Sequence, residues 1–287
     1  MSYILKNKWK RGEATFGAWC MLPGADYAET LAQCGFDWIC LDMQHSYIDT
    51  ADMQTMIKAI SGAGAPTLVR LIYNRPEYVM KALDSGACGV IAPMVETAEE
   101  GAEVVKYAKY PPVGLRSWGA VRYDERVVGG SAGDSEKRVG ISGGGSEKSA
   151  GGRVGCGADK TDGGGVYTPE VGNGFTVVAL MIETAKGMAN VDEIAAVPGV
   201  DALFVGPFDL ALSHGMKPPT ESDEYESLVY KVADACKRHG IAAGIYCSDV
   251  AMARKWAGAG LPMLACSSDA ALFREAASNL INRLRCR

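Results

Sequence analysis

What most constrains this chain is an alternation broken only once: short, almost wholly apolar runs, each followed by sequence of helical character. The runs fall at residues 15–22 (TFGAWCML), 38–43 (WICLDM), 67–72 (TLVRLI), 89–94 (GVIAPM), 177–183 (VVALMIE), 202–206 (ALFVG), 241–247 (IAAGIYC) and 263–266 (MLAC). Helices are predicted at 25–34, at 49–61 with Asp49 or Thr50 as N-cap, at 76–85, at 97–107 with a capping box from Thr97 to Glu100, after Glu183, and at 221–238, 250–257 and 270–284. Strands that are apolar on both faces belong in a parallel sheet covered by helices. Eight such units predict a single α/β domain over residues 1–287, a closed (β/α)8 TIM barrel, with an open doubly wound sheet as the alternative. No GxGxxG follows the first run, so a dinucleotide-binding version has no support.

The break covers about 124–166, before the fifth predicted strand. Residues 129–165 hold 14 of the 35 glycines, mixed with Ser, Asp, Glu, Lys and Arg and without an apolar period. Such a segment cannot bury enough surface to offset its ordering entropy, so it reads as a flexible Gly-rich insertion rather than a domain. Its glycine runs do not lie between a strand and a helix, where a phosphate cradle would need them.

Net charge is −5, which gives no reason to expect nucleic acid or an anionic membrane as partner. No apolar run is long enough for a membrane span, and the amino terminus lacks the apolar stretch of a signal peptide. The nine cysteines form no CxxC pair and sit mostly in apolar runs, as reduced thiols of a cytoplasmic protein would.

Parallel strands of one barrel share a carboxyl-terminal face, and barrel enzymes keep their chemistry there. The second run ends in Asp42-Met43-Gln44-His45, the third carries Arg70, the fifth ends at Glu183, and the sixth leads through Gly206-Pro207-Phe208 to Asp209. Two carboxylates one crossover apart suit a hard divalent cation that keeps positions open for substrate. Taken singly, Glu183 also reads as a helix-start acid and Asp209 as a cap. Arg70 can hold a carboxylate or stabilise an enolate oxygen, or it can close a salt bridge within the barrel. His45 can move a proton through water, with Asp42 fixing its tautomer. His214 and His239 read as structural. A Schiff-base route would need a lysine inside the barrel, and Lys186 falls after the strand.

The segments LDMQHS, LVRLIYNRPEYVMKALDSGACGVIAPMVETAEE, YPPVGLRSWG, MIET and VDALFVGPFDLALSHG resemble those of the HpcH/HpaI aldolase family, metal-dependent pyruvate aldolases related to the citrate lyase β subunit. The likeness covers nearly the whole chain outside the Gly-rich insertion. It implies a (β/α)8 barrel, a hexamer built from dimers that exchange the last helix, and a Mg²⁺, Mn²⁺ or Co²⁺ ion on Glu183 and Asp209. Carried over, Arg70 is the enolate-stabilising arginine and His45 the acid/base histidine, with Asp42 beside it. Asp84 matches an aspartate that approaches a neighbouring subunit's site, while Met181, Phe208 and Trp118 join Arg70 in facing the substrate. The reaction implied is reversible aldol cleavage of a 4-hydroxy-2-oxo acid to pyruvate and an aldehyde through a metal-bound pyruvate enolate. Three features depart from the family pattern: Gln44 stands where many relatives have Glu, Met181 where they often have Gln, and the insertion replaces a loop bordering the site. Decarboxylation of oxaloacetate to the same enolate, as in macrophomate synthase, is therefore the alternative. Behind it stand a CoA-thioester lyase and a barrel without turnover.

Overall fold

The computed structural model describes residues 2–119, 167–218 and 222–286; the Gly-rich insertion read at about 124–166 lies outside them. Eight parallel strands close into a barrel in chain order, with the last paired to the first. They are β1 (Thr15–Cys20), β2 (Trp38–Asp42), β3 (Thr67–Arg70), β4 (Gly89–Ala92), β5 (Val177–Ile182), β6 (Ala202–Val205), β7 (Ala242–Cys247) and β8 (Met263–Ser268). Around them run α1 (Ser2–Lys10), α2 (Ala25–Ala32), α3 (Thr50–Ala63), α4 (Pro76–Asp84), α5 (Ala98–Ala108), α6 (Pro169–Phe175), α7 (Ala185–Ala189), α8 (Val191–Ala195), α9 (Pro207–Ser213), α10 (Asp223–His239), α11 (Val250–Gly258) and α12 (Asp269–Arg285). The closed circuit rules out the doubly wound sheet.

Most strands stop one or two residues short of their apolar runs, because the runs continue into buried loops. Leu71 and Val95 are buried beyond the ends of β3 and β4, and Pro93 has no N–H with which to extend a ladder. Asp49 caps α3, and its box closes through Asp52. Thr97 caps α5, but Glu100 reaches the N–H of Glu96 instead of completing the predicted box. Helices α1, α6 and α9 were not foreseen. Two of them begin on a proline at the first helical position, where the missing N–H costs nothing.

Alternate strand residues point to opposite sides. Trp38 and Cys40, Leu68, Val177, Ala179 and Met181, and Ala202 and Phe204 fill the barrel. Their neighbours Ile39, Leu41, Val69, Val178, Leu180 and Leu203 pack against the helices. Large and small side chains interleave inside. A Cβ on Gly17 would lie 2.3 Å from the Trp38 ring, so only glycine leaves room there for one of the largest fully buried side chains. The amino-terminal end is plugged by α1: Leu5 and Trp9 join the interior, and the Trp9 indole donates to Thr15 Oγ1 at 2.9 Å. With that end closed, following the inward parity of β2, β3 and β5 toward the open end reaches Asp42, Arg70 and Glu183. Among the described residues no helix is long and apolar enough to cross a membrane.

Candidate active site

Asp42 and Arg70 end adjacent strands in direct register. Arg70 Nε donates to Asp42 Oδ1 at 2.9 Å and Nη2 donates to Oδ2, so the guanidinium grips the carboxylate with two parallel bonds. The Trp19 indole N–H adds a bond to Oδ2 at 3.2 Å, and the backbone N–H groups of Gln44 and His45 donate to Oδ1 at 2.9 and 3.2 Å. The guanidinium carbon lies 5.1 Å over the Trp19 ring, and that ring stacks on Phe204. Burial pushes the Asp42 carboxyl up, but Arg70's hydrogen bonds and charge, with the two N–H groups, outweigh it and hold the group below its usual range. Burial likewise works against Arg70's charge, and Asp42 more than offsets it. This corrects one expectation: Asp42 does not orient the His45 ring. A fully buried carboxylate needs its strongest available donor, which is Arg70, and it meets His45 only through the main chain.

Glu183 follows β5 and is 2% exposed. Its Oε2 accepts the Met94 N–H at 2.8 Å. Met94 has φ of 53°, in the left-handed region that costs a non-glycine residue about 1 kcal/mol, and that twist turns its N–H onto the acid. On the other side, a Cβ at Gly206 would stand 2.4 Å from Oε1, so the acid occupies space that only glycine leaves open. Burial raises the Glu183 carboxyl above its ordinary value; Met94 and Arg70 pull it down, while the Asp209 and Asp42 charges push it up. Asp209 lies in the first turn of α9, which begins just after Gly206.

These groups share one cavity of about 370 Å³. It gathers Asp42, His45, Arg70, Met181, Glu183, Phe208 and Asp209 from the sequence-predicted set. Asp84 and Trp118 lie elsewhere in the chain. Asp84 Oδ1 takes Arg116 Nη2 at 2.7 Å, and Trp118 packs on Tyr110 and Tyr167 with ring centroids 5.2 and 5.9 Å away. Asp84 is the last residue of α4 and Trp118 lies beyond α5, where strand parity does not fix direction. The cavity adds four residues that were not foreseen, Trp19, Met21, Phe204 and Tyr246. Each continues the inward parity of its strand, and that was the signal available. His214 Nδ1 lies against the Leu210 carbonyl and His239 against Asp192, so both serve the scaffold.

No group of three or more His, Cys, Asp or Glu side chains disposed for a metal occurs among the described residues. Glu183 and Asp209 are a two-carboxylate, oxygen-only pair, the donor set of a cation that fills its other positions with water and substrate oxygens. They fit one on a further ground: a buried acid with raised pKa, hydrogen-bonded by a single backbone N–H, is a site whose charge a cation would compensate.

Residues 15–276 match the family described as HpcH/HpaI aldolase/citrate lyase. The hydroxypyruvate/pyruvate aldolase of Rhizorhabdus wittichii is 34% identical over 280 residues, covering 96% of each chain. The 2-dehydro-3,6-dideoxy-6-sulfogluconate aldolase of Pseudomonas putida is 32% identical over 96% of this chain and 94% of its own. Among solved structures, an HpcH/HpaI aldolase/citrate lyase family protein from Burkholderia cenocepacia J2315 superposes with a TM-score of 0.79 at 29% identity, covering 99% of both chains. A match that runs from the first strand into the last helix identifies the chain as a member of the HpcH/HpaI aldolase/citrate lyase family and an enzyme of the aldolase class.

Proposed function

We propose that this enzyme cleaves a 4-hydroxy-2-oxo acid reversibly to pyruvate and an aldehyde, with Glu183 and Asp209 holding a divalent cation, Mg²⁺ ahead of Mn²⁺ or Co²⁺. The observation that carries the reading is the opposition, in one cavity, of an arginine already locked by Asp42 and a buried acid with no cationic partner at bonding distance among the described residues. A divalent cation supplies a Lewis acid that eases the build-up of negative charge on the 2-oxo oxygen. Arg70 faces that same charge with the N–H groups Asp42 leaves unused. Because Asp42 and Trp19 fix it beforehand, it need not reorganise as the enolate of pyruvate forms. His45 stands on the cavity wall, and in our reading it takes the proton of the 4-hydroxyl during cleavage and returns it during addition. Trp19, Phe204 and Met181 form an apolar wall, which limits water at the reacting carbon.

Assembly is part of the proposal. α12 presents large apolar side chains to solvent, and Asp84 lies outside its own chain's cavity. Both suit a homo-oligomer, a hexamer of paired chains, in which Asp84 reaches toward a neighbour's site. The test of the chemistry is exchange of the pyruvate methyl protons with D₂O, followed by NMR with Mg²⁺ or Mn²⁺, with EDTA, and in Glu183→Ala. Exchange that needs the metal and is lost in the variant supports the enolate. Absence of exchange with every metal would overturn it.

A further inference from the structure

Beside the reaction cavity lies a larger one, about 540 Å³, and the two share Pro207, Phe208 and Tyr246 as a common wall. Behind that wall it runs between the starts of α10 and α11, past Ser248, Asp249, Glu226, Lys255 and the Trp256 indole. We infer that this annex receives the distal chain of the aldehyde half, and that the chain it accepts is neutral and hydroxylated. The inference rests on the aldol reading above and names its acceptor class.

Position argues for it first. Tyr246 stands edge-on to Trp19 at 6.0 Å, and the Trp19 face carries the Arg70 guanidinium, so the shared wall begins at the catalytic pair. A substrate held by its carboxylate and 2-oxo oxygen at Arg70 and at the cation that Glu183 and Asp209 would carry must lead its other end away from them. Phe208, next in sequence to Asp209, is 48% exposed, so little packing fixes its ring where the cavities meet.

The lining argues for the class. Glu226 pairs with Lys255, while Asp249 accepts the Met252 N–H at 2.9 Å on one oxygen and the Ser248 hydroxyl at 3.0 Å on the other. Each carboxylate oxygen keeps a lone pair for a substrate hydroxyl. Two acids against one lysine leave this region negative, and that disfavours a phosphate or a second carboxylate on the tail. The faces of Phe208, Tyr246 and Trp256 can cover the C–H sides of such a chain. A pocket built to bond hydroxyls discriminates strongly against analogues that lack them.

The test uses pyruvate addition to erythrose, butyraldehyde and acetaldehyde, D₂O exchange of pyruvate, and saturation-transfer NMR with erythritol, which carries hydroxyls but no aldehyde. The variants are Ala251→Phe, which fills the annex from an exposed position on α11, and Ser248→Ala. The wild type should favour erythrose over butyraldehyde by about tenfold or more in kcat/KM. Both variants should lose most of that preference and the erythritol signal, with acetaldehyde addition and D₂O exchange held within about twofold. Unchanged erythrose preference in Ala251→Phe, or equal losses with erythrose and acetaldehyde, would overturn the annex while exchange still stood. Erythritol binding without any exchange would overturn the annex's place in an aldol reaction and the aldol reading together.

Discussion

Asp42 holds Arg70 in the fold and aims it in the site, and the two effects separate by mutation. Asp42→Ala leaves a guanidinium that is 8% exposed charged and unpaired, and should cost about 3–5 kcal/mol in urea denaturation. Asp42→Leu combined with Arg70→Met removes both charges and should recover much of that stability, yet show no D₂O exchange. Because the Asp42 carboxyl is held below its ordinary value of 3.8, its contribution is present above that pH and is lost as pH falls through the folded value. The stability gap between wild type and Asp42→Ala should therefore be full near neutrality and narrow below about pH 4. Glu183 has the opposite sign. Its raised pKa means that the folded chain holds the proton more tightly than the unfolded chain, so the ionised acid is a penalty that grows as pH rises from 4.5 through the folded value. Glu183→Gln should thus leave the metal-free Tm unchanged or higher, while abolishing the rise in Tm that Mn²⁺ gives the wild type. In the wild type that rise should grow with pH, since metal must displace the proton. A normal Mn²⁺ response in Glu183→Gln would remove this acid from the site.

At the scale of elements, the ends of the strands carry the site, and the start of α9 shows how tightly. A Cβ at Gly206 would meet Glu183 Oε1 at 2.4 Å, so Gly206→Ala must displace either the carboxylate or the first turn that carries Asp209. The expected outcome is an intact far-UV spectrum with the Mn²⁺-induced Tm shift lost; retention of that shift would show that the acid moves freely. The barrel itself was legible in the sequence because every strand is an apolar run, and runs of that length recurring between helices have few other packings. Arg70, Glu183 and Asp209 were legible because they interrupt or close such runs. What the residues do to one another was less so. Asp42's choice of Arg70 over His45 depends on the register between β2 and β3, and no pattern within either segment encodes it. Met94's left-handed twist, which turns its N–H onto Glu183, leaves no mark on composition. Trp19 and Tyr246 had the right parity, but aromatic residues at such positions read equally well as core. α1 and α6 lie outside the repeating units, and α9 starts in the Gly206-Pro207-Phe208-Asp209 segment that the sequence shows only as the close of the sixth run.

At the scale of the whole molecule, the last helix does not complete the barrel as the others do. α12 is 17 residues long, capped by Ser268, and only Asp269 is buried. Phe273, Leu280, Ile281 and Leu284 are 65, 62, 41 and 71% exposed. They recur at the spacing of one helix face, with Ala276 and Ala277 between them, the stripe by which an amphipathic helix packs on a neighbour. Phe16 on β1, a strand that α12 touches, is also 41% exposed. Stripe and strand each lack cover among the described residues, and a second copy can satisfy both at once by trading helices, the isologous contact of a two-fold dimer. Leu280→Glu with Leu284→Glu should therefore reduce the mass measured by light scattering from an even-numbered oligomer to smaller species, with the barrel's circular dichroism retained. Wild-type Tm should rise with protein concentration, and that dependence should weaken in the variant. If mass and concentration dependence stay as in the wild type, α12 is not the contact, and the expectation that Asp84 serves a neighbouring site loses its geometric support.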